Sequence, residues 1–210
     1  MVKYDSIIFD LDGTLWDASE ACAKGWNAAL AAHGRNDVVI SSQDMKTVAG
    51  IPFPDCVRAL IPDVSVESNG MLFEAIDSGE KSTVEVEGGV AFEGVVEGVK
   101  DLADRWPLFL VSNCQDWYLA AFWKHLAVES CFRASDCYGS SGVSKAEMIR
   151  AMVANYELLS PIYIGDTEGD EQASRSAEVG FGHVEYGFGD ARSPDVKFES
   201  FGAIVDWFAG

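Results

Sequence analysis

Two aspartates separated by one residue, Asp10 and Asp12, close the apolar run Ser6-Ile7-Ile8-Phe9 and are followed by Gly13 and Thr14. The first carboxylate of such a pair can act as nucleophile and as metal ligand. The second can bend back to hydrogen-bond a leaving group, and different surroundings can divide the two into nucleophile and general acid/base. In a strand, residues 10 and 12 share a face, whereas a turn at Gly13 redirects the second. Taken alone, the segment also suits an Asx turn that simply ends a strand. A second acidic group, Gly165-Asp166-Thr167-Glu168-Gly169-Asp170, follows another apolar run. Asp166 can join Asp10 in an oxygen-rich site of the kind Mg²⁺ prefers, while Asp170 reads equally as a carboxylate placed near a helix start. Ser112 and Asn113 end a third run with a hydroxyl and an amide, donors suited to a transferring phosphoryl oxygen. Lys145 follows the Gly- and Ser-rich segment 139–144, either as a cation beside free backbone donors or as a surface lysine.

For these groups to meet, the runs that carry them must be strands of one sheet. Residues 6–9, 108–111 and 162–164 are short, apolar and terminated by polar residues, the pattern of buried parallel strands. Amphipathic stretches at 95–106, 117–127, 145–158, 171–178 and 201–208 read as helices. The alternation predicts an α/β fold with a doubly wound parallel, Rossmann-like sheet, whose ligands bind beyond the carboxyl ends of the strands. Between residues 16 and 86 the alternation stops. Helical patterns at 19–33, 43–49, 55–60 and 69–78 are punctuated by Gly50, Pro52, Pro54 and Pro62, and no strand is expected there. The expected organisation is a core of residues 1–15 and 87–210 with a helical cap domain, 16–86, inserted after the first strand. Its hinges are expected near Leu15-Trp16 and Gly88-Gly89, with Trp16 lining hinge and cleft.

The chain has 210 residues, 48% of them hydrophobic and 23% charged, a composition that can bury a core. With 34 Asp and Glu against 15 Lys and Arg its formal net charge is −19, which repels nucleic acid. A phosphorylated small molecule can approach such a chain only where a cation, a lysine or helix amino ends offset the charge locally. The first apolar run is too short for a membrane span and is soon broken by acids, so no membrane partner and a cytoplasmic location are expected. Five cysteines without a CxxC pair fit reduced thiols. Cys114, directly after Asn113, is the one thiol whose position suggests a nucleophile, although no histidine stands near it in sequence.

In order and spacing, DLDGT at 10–14, VSN at 111–113, SK at 144–145 and GDTEGD at 165–170 resemble the four motifs of the haloacid dehalogenase-like hydrolase superfamily. The helical insertion is similar to the cap of its subclass that includes phosphoglycolate phosphatases, β-phosphoglucomutases and the dehalogenases. The resemblance implies a Mg²⁺-dependent phosphatase acting on a small phosphorylated metabolite, phosphoglycolate-like or a sugar phosphate, as a monomer or dimer. It implies that Asp10 attacks phosphorus to form an aspartyl-phosphate and that Asp12 protonates the leaving oxygen and later activates water. Ser112 would bind the phosphoryl group and Lys145 would neutralise charge. Asp10, Asp166 and the main-chain carbonyl of Asp12 would hold Mg²⁺, with Asp170 ligating or orienting. Thr14, Asn113 and Gly50 are expected at the substrate. Dehalogenases lack an acid at the position of Asp12, which argues against that branch. The mutases place an arginine soon after a cap glycine, and here Gly50 precedes Ile51, Pro52 and Phe53, leaving Lys46 or Arg58 to grip a second phosphate. A Schiff-base lysine of the phosphonoacetaldehyde hydrolase kind would have to be Lys24, Lys46 or Lys81. A phosphotransferase of the β-phosphoglucomutase kind and a catalytically idle binding module remain the competing readings.

Overall fold

Burial on both faces explains why the strand runs are apolar throughout. The computed structural model describes residues 4–210, so the first three residues of the expected core segment lie outside it. In chain order the elements are β1 (Ser6–Phe9), β2 (Trp16–Asp17), α1 (Ser19–Ala32), α2 (Ser42–Thr47), α3 (Phe53–Leu60), α4 (Val66–Glu87), β3 (Val90–Ala91), α5 (Val95–Ala103), β4 (Leu108–Ser112), α6 (Asp116–Leu126), β5 (Ala134–Cys137), α7 (Tyr138–Ser141), α8 (Lys145–Asn155), β6 (Pro161–Gly165), α9 (Glu168–Ser176), β7 (Gly180–Val184), β8 (Val196–Phe198) and α10 (Phe201–Ala209). Six strands form one parallel sheet in the order β5-β4-β1-β6-β7-β8. Successive side chains point to opposite faces. Ile7, Phe9, Leu110 and Ile164 therefore pack with Val99, Phe122 and Ile204 of α5, α6 and α10. Ile8, Phe109, Val111 and Tyr163 pack with Met148, Ile149 and Met152 of α8 on the other side. β1 lies between β4 and β6, with Phe9 in register with Leu110 and Ile164. The crevice where strand order reverses thus opens beyond Phe9, at Asp10.

The stretch expected to hold no strand contains one. Trp16–Asp17 pairs antiparallel with Val90–Ala91, so the two crossings to and from the four helices lie side by side as a ribbon. A two-residue strand has no period to read in sequence. Trp16 lies in the first strand of this ribbon and not in the cleft: it is wholly buried, edge-on against Tyr118 and Phe122. α4 also runs well past residue 78, kinked at Asn69 (φ −154°, ψ 67°). Ser82 and Thr83 lie in this extension, and their hydroxyls donate back to the Gly79 carbonyl.

α1 crosses α4 at two glycines. A Cβ on Gly25 would lie 2.4 Å from the Gly79 carbonyl oxygen, and one on Gly79 would lie 2.6 Å from that of Gly25. Helix propensity favours Gly→Ala by about 1 kcal/mol, but backbone atoms at that distance cannot yield without separating the helices. We expect Gly25→Ala to destabilise the protein by about 1–3 kcal/mol in urea unfolding. Gly70→Ala, with no neighbour within 4 Å, serves as the control and should be neutral or stabilising.

Candidate active site

The acids that sequence places after two strands converge with Lys145. Asp10 follows β1 and Asp166 follows β6. Asp170 enters through the capping box in which Thr167 and Asp170 satisfy each other at the amino end of α9. Candidate ligand atoms of Asp10, Asp166 and Asp170 all lie within 4.8 Å of one another, and all three residues are buried. Lys145, the first residue of α8 and 5% exposed, donates to Asp10 Oδ1 at 2.7 Å and to Asp170 Oδ1 at 2.6 Å. It is therefore no surface lysine. Burial alone would discharge this ammonium, but Asp10 and Asp170 outweigh it and hold its pKa well above the usual range.

Even with Lys145 in place, three carboxylates face a single ammonium. Burial pushes Asp10 up to about 6 although Lys145 opposes it, and burial followed by the charges of Asp170 and Asp10 pushes Asp166 well above its usual range. Asp10 Oδ2 and Asp166 Oδ1 are buried oxygens with no hydrogen-bond partner. Two hard oxygens left without donors, among acids that repel one another, fit a divalent cation. Both oxygens of Asp170 are already engaged, one by Lys145 and the other by the Thr167 amide and hydroxyl, which suits it to orienting.

Space is cleared for this cluster by glycine. Gly13 has φ +78°, and a Cβ there would stand 2.1 Å from Asp166 Oδ2; at Gly187 it would stand 2.3 Å from Asp166 Cβ. The turn at Gly13 also decides the fate of its neighbours. Asp12 is redirected, and its Oδ1 accepts the Tyr118 hydroxyl. Burial raises the Asp12 carboxyl to about 7, with the Tyr118 bond opposing and the Asp10 charge adding to the rise. Thr14, expected at the substrate, is not among the residues that line the cleft between the four helices and the sheet. The turn carries it into the interior, wholly buried, with its carbonyl accepting the Tyr186 hydroxyl at 2.9 Å.

The cleft between the four helices and the sheet has Asp12, Ser112, Asn113 and Gly50 among its lining. The Ser112 hydroxyl accepts from the Cys114 amide at 3.2 Å, and the Asn113 amide donates to the Gly50 carbonyl at 2.8 Å across the cleft. Neither cation considered for a second phosphate is available in it. Lys46 is paired with Asp17 at 2.7 Å, and Arg58 is an exposed partner of Asp55. Cys114 lines the cleft, but burial pushes its thiol well up, away from the thiolate a nucleophile needs.

Sequence reasoning missed four contributors. Tyr163, inside an apolar strand, donates to the Val111 carbonyl at 2.8 Å and stands 3.2 Å from Asp10 Oδ1; a tyrosine in a buried strand must find a polar partner. Tyr118 and the Phe188 amide, which donates to Asp166 Oδ2 at 2.7 Å, come from segments with no local signature. Glu80 had one. Leu72, Ile76, Glu80 and Val84 recur every four residues and form the buried stripe of α4, so an acid occupies an apolar position. It lines the cleft, and its Oε2 accepts the Trp26 indole N–H at 2.5 Å.

Burial raises the Glu80 carboxyl to about 7 against the lowering effect of Trp26 and Cys22. A carboxyl with a raised pKa stabilises the fold at low pH, and that contribution disappears as pH rises through the folded value. The stability difference between the wild type and Glu80→Gln should therefore shift against the wild type by on the order of 3 kcal/mol between pH 4.5 and pH 8. Parallel urea titrations across that range measure it. A flat difference would mean that Glu80 titrates in the fold as it does in the unfolded chain.

The arrangement has relatives. A family model described as haloacid dehalogenase-like hydrolase matches residues 7–184. The chain is 28% identical over 208 residues to a phosphoglycolate phosphatase of Rhodobacter capsulatus, covering 95% of this chain and 94% of that one. Among solved structures it is similar to a haloacid dehalogenase-like hydrolase from Streptococcus pneumoniae, with TM-score 0.84, 20% identity and coverage of 99% and 100% of the two chains. It is also similar to a predicted phosphoglycolate phosphatase from Haemophilus somnus, with TM-score 0.80, 18% identity and 98% coverage of each.

Proposed function

Because the chain belongs to the haloacid dehalogenase-like hydrolase family, we propose that it is a Mg²⁺-dependent phosphatase that hydrolyses a small phosphorylated metabolite through an aspartyl-phosphate. The observation that carries this reading is the meeting of two unpartnered buried oxygens, Asp10 Oδ2 and Asp166 Oδ1, with Lys145 and with a second acid, Asp12, at one strand end.

In this reading Asp10 attacks phosphorus as the bond to the leaving oxygen breaks. Asp12, lifted towards neutrality by burial, gives that oxygen its proton. Asp12 then takes a proton from the water that attacks the phosphorus of the aspartyl-phosphate, which releases phosphate and regenerates Asp10. Ser112 holds a phosphoryl oxygen, and Lys145 keeps charge on Asp10 balanced. Tyr118 fixes Asp12, while Asn113 and Gly50 hold the two walls of the cleft together at the substrate. Asp10, Asp166 and the Asp12 carbonyl would bind Mg²⁺, which when bound neutralises the phosphate dianion. Asp170 orients Lys145. The four helices, residues 16–86, serve as the cap, joined to the core segments through the β2–β3 ribbon. Among the described residues no helix is long and apolar enough to cross a membrane, in keeping with a cytoplasmic enzyme of small metabolites.

The test is phosphate release from a panel of phosphoglycolate, sugar phosphates and nucleotides, with and without Mg²⁺. Release that requires the cation is expected. Silence across the panel, or isomerised sugar phosphate in place of free phosphate, would overturn the reading. The engagement of Lys46 and Arg58 by carboxylates argues against the second, mutase-like outcome.

A further inference from the structure

The wall that faces the phosphoryl site differs in chemistry from the site itself. On the helical side the cleft is lined by apolar groups such as Trp26, Met45 and Phe53, by the hydroxyl of Ser19 and by one acid, Glu80, with no basic residue among them. The helical segment contains five cations, Lys24, Arg35, Lys46, Arg58 and Lys81, and each is paired with a carboxylate: Glu87, Asp37 with Asp63, Asp17, Asp55 and Glu85 respectively. Lys46 stands 5.1 Å from the ring centre of the cleft residue Phe188, and it is held by Asp17. Nor does the amino end of α3 replace them. Pro54 removes one of its free N–H groups, the Asp55 amide is bonded to the Pro52 carbonyl, and the Asp55 carboxylate stands in the first turn. An anionic group entering here would lose water and gain no counter-charge, at a cost that pairing does not offset.

We propose that the cleft selects phosphomonoesters whose alcohol carries no anionic group and presents a hydrogen-bond donor, a hydroxyl or an ammonium, to Glu80. The inference rests on the phosphatase reading above and narrows its substrate class. The phosphate enters as the only anion of the substrate, at the end where Lys145 stands. The rest of the molecule lies against Trp26 and Phe53, with its donor directed at Glu80, which the Trp26 indole holds in place. A hydroxyl needs only an acceptor there. An ammonium needs the charge as well, and gains from the faces of neighbouring aromatic rings.

Three two-carbon esters that differ only at their far end test this with the Mg²⁺-loaded enzyme: phosphoglycolate, 2-hydroxyethyl phosphate and 2-aminoethyl phosphate. The expected result is a kcat/KM for the hydroxyl or the ammonium ester at least tenfold above that for phosphoglycolate. In Glu80→Gln, which retains an acceptor for Trp26, a preference for the hydroxyl ester should persist while a preference for the ammonium ester should collapse at least tenfold. This separates the two donors. Lys46→Met provides a second arm that does not depend on Glu80, and it should leave the ratio of phosphoglycolate to hydroxyethyl phosphate unchanged. Phosphoglycolate turned over as well as the other two, or losing tenfold in Lys46→Met, would overturn the inference and leave the phosphatase standing. No turnover of these esters or of the wider panel would overturn the phosphatase and this inference with it.

Discussion

Asp10→Asn should lower the rate of phosphate release by about 10⁴-fold or more while the protein remains folded. The side chain keeps its shape, and its carbonyl oxygen can still accept from Lys145, which lies 2.7 Å from Oδ1. An amide is a far poorer nucleophile than a carboxylate and cannot form an acyl phosphate that water then reopens. The electrostatic consequence runs the other way. Asp10, Asp166 and Asp170 face one lysine, and burial together with mutual repulsion already raises Asp10 and Asp166. Removing one carboxylate relieves that repulsion, so without Mg²⁺ the variant should melt at or above the wild-type temperature. With Mg²⁺ the order should reverse. A ligand at a hundred times its Kd stabilises by about 2.7 kcal/mol, and the wild type should gain more of this than a variant that has lost an oxygen ligand. Melting curves with and without Mg²⁺ therefore test the metal site independently of turnover. Wild-type rates in the variant would remove Asp10 from the mechanism.

Much of this site is legible in sequence because strand ends in a parallel sheet are local events. An apolar run buried on both faces and stopped by Asp10, by Ser112 or by Gly165-Asp166 announces both the strand and the place where a ligand can sit. The turn glycine and the Ser144 capping box before Lys145 are local as well. The strands that escaped notice lack that contrast. β5 is only partly buried and contains Ser135 and Asp136, β7 begins with glycine and contains another, and β8 has three residues. β2 and β3 exist only because each supplies the other's partner.

The missed site residues share a different property, namely that long chain separations set their roles. Tyr118 meets Asp12 over 106 residues and the Phe188 amide meets Asp166 over 22. Thr14 shows the converse. Adjacency to the acids placed it at the substrate, but the backbone reversal at Gly13 turns it inward. Glu80 stands between these cases. Its helix stripe could be read from spacing, but only the fold brings that stripe to the cleft.

Lys145→Met should have the largest effect on stability of any single change at the site. Breaking a buried ion pair by removing one partner costs about 3–5 kcal/mol, because the remaining charge keeps its desolvation penalty and loses its compensation. Here two buried partners are left, Asp10 and Asp170. The loss should depend on pH in a defined direction. Lys145 lowers the pKa of Asp10, which even so stands at about 6, so its removal drives Asp10 higher still. The variant can then fold with its carboxyls protonated in acid. It should lose ground against the wild type as pH rises through that raised value and forces them to ionise. Mg²⁺ should restore part of the deficit by supplying the missing positive charge, but activity should stay at least about 10²-fold down, since a cation aimed at developing charge contributes on that scale. Lys145→Met combined with Asp170→Asn separates the two roles. The pair should regain most of the stability lost at neutral pH, because one of the stranded charges is gone, yet it should recover no turnover. Urea titrations of the single and double variants at pH 5 and pH 8, read beside phosphate release, decide it. A single variant as stable as the wild type at pH 8 would mean that Asp10 and Asp170 do not share a buried charge that Lys145 must balance.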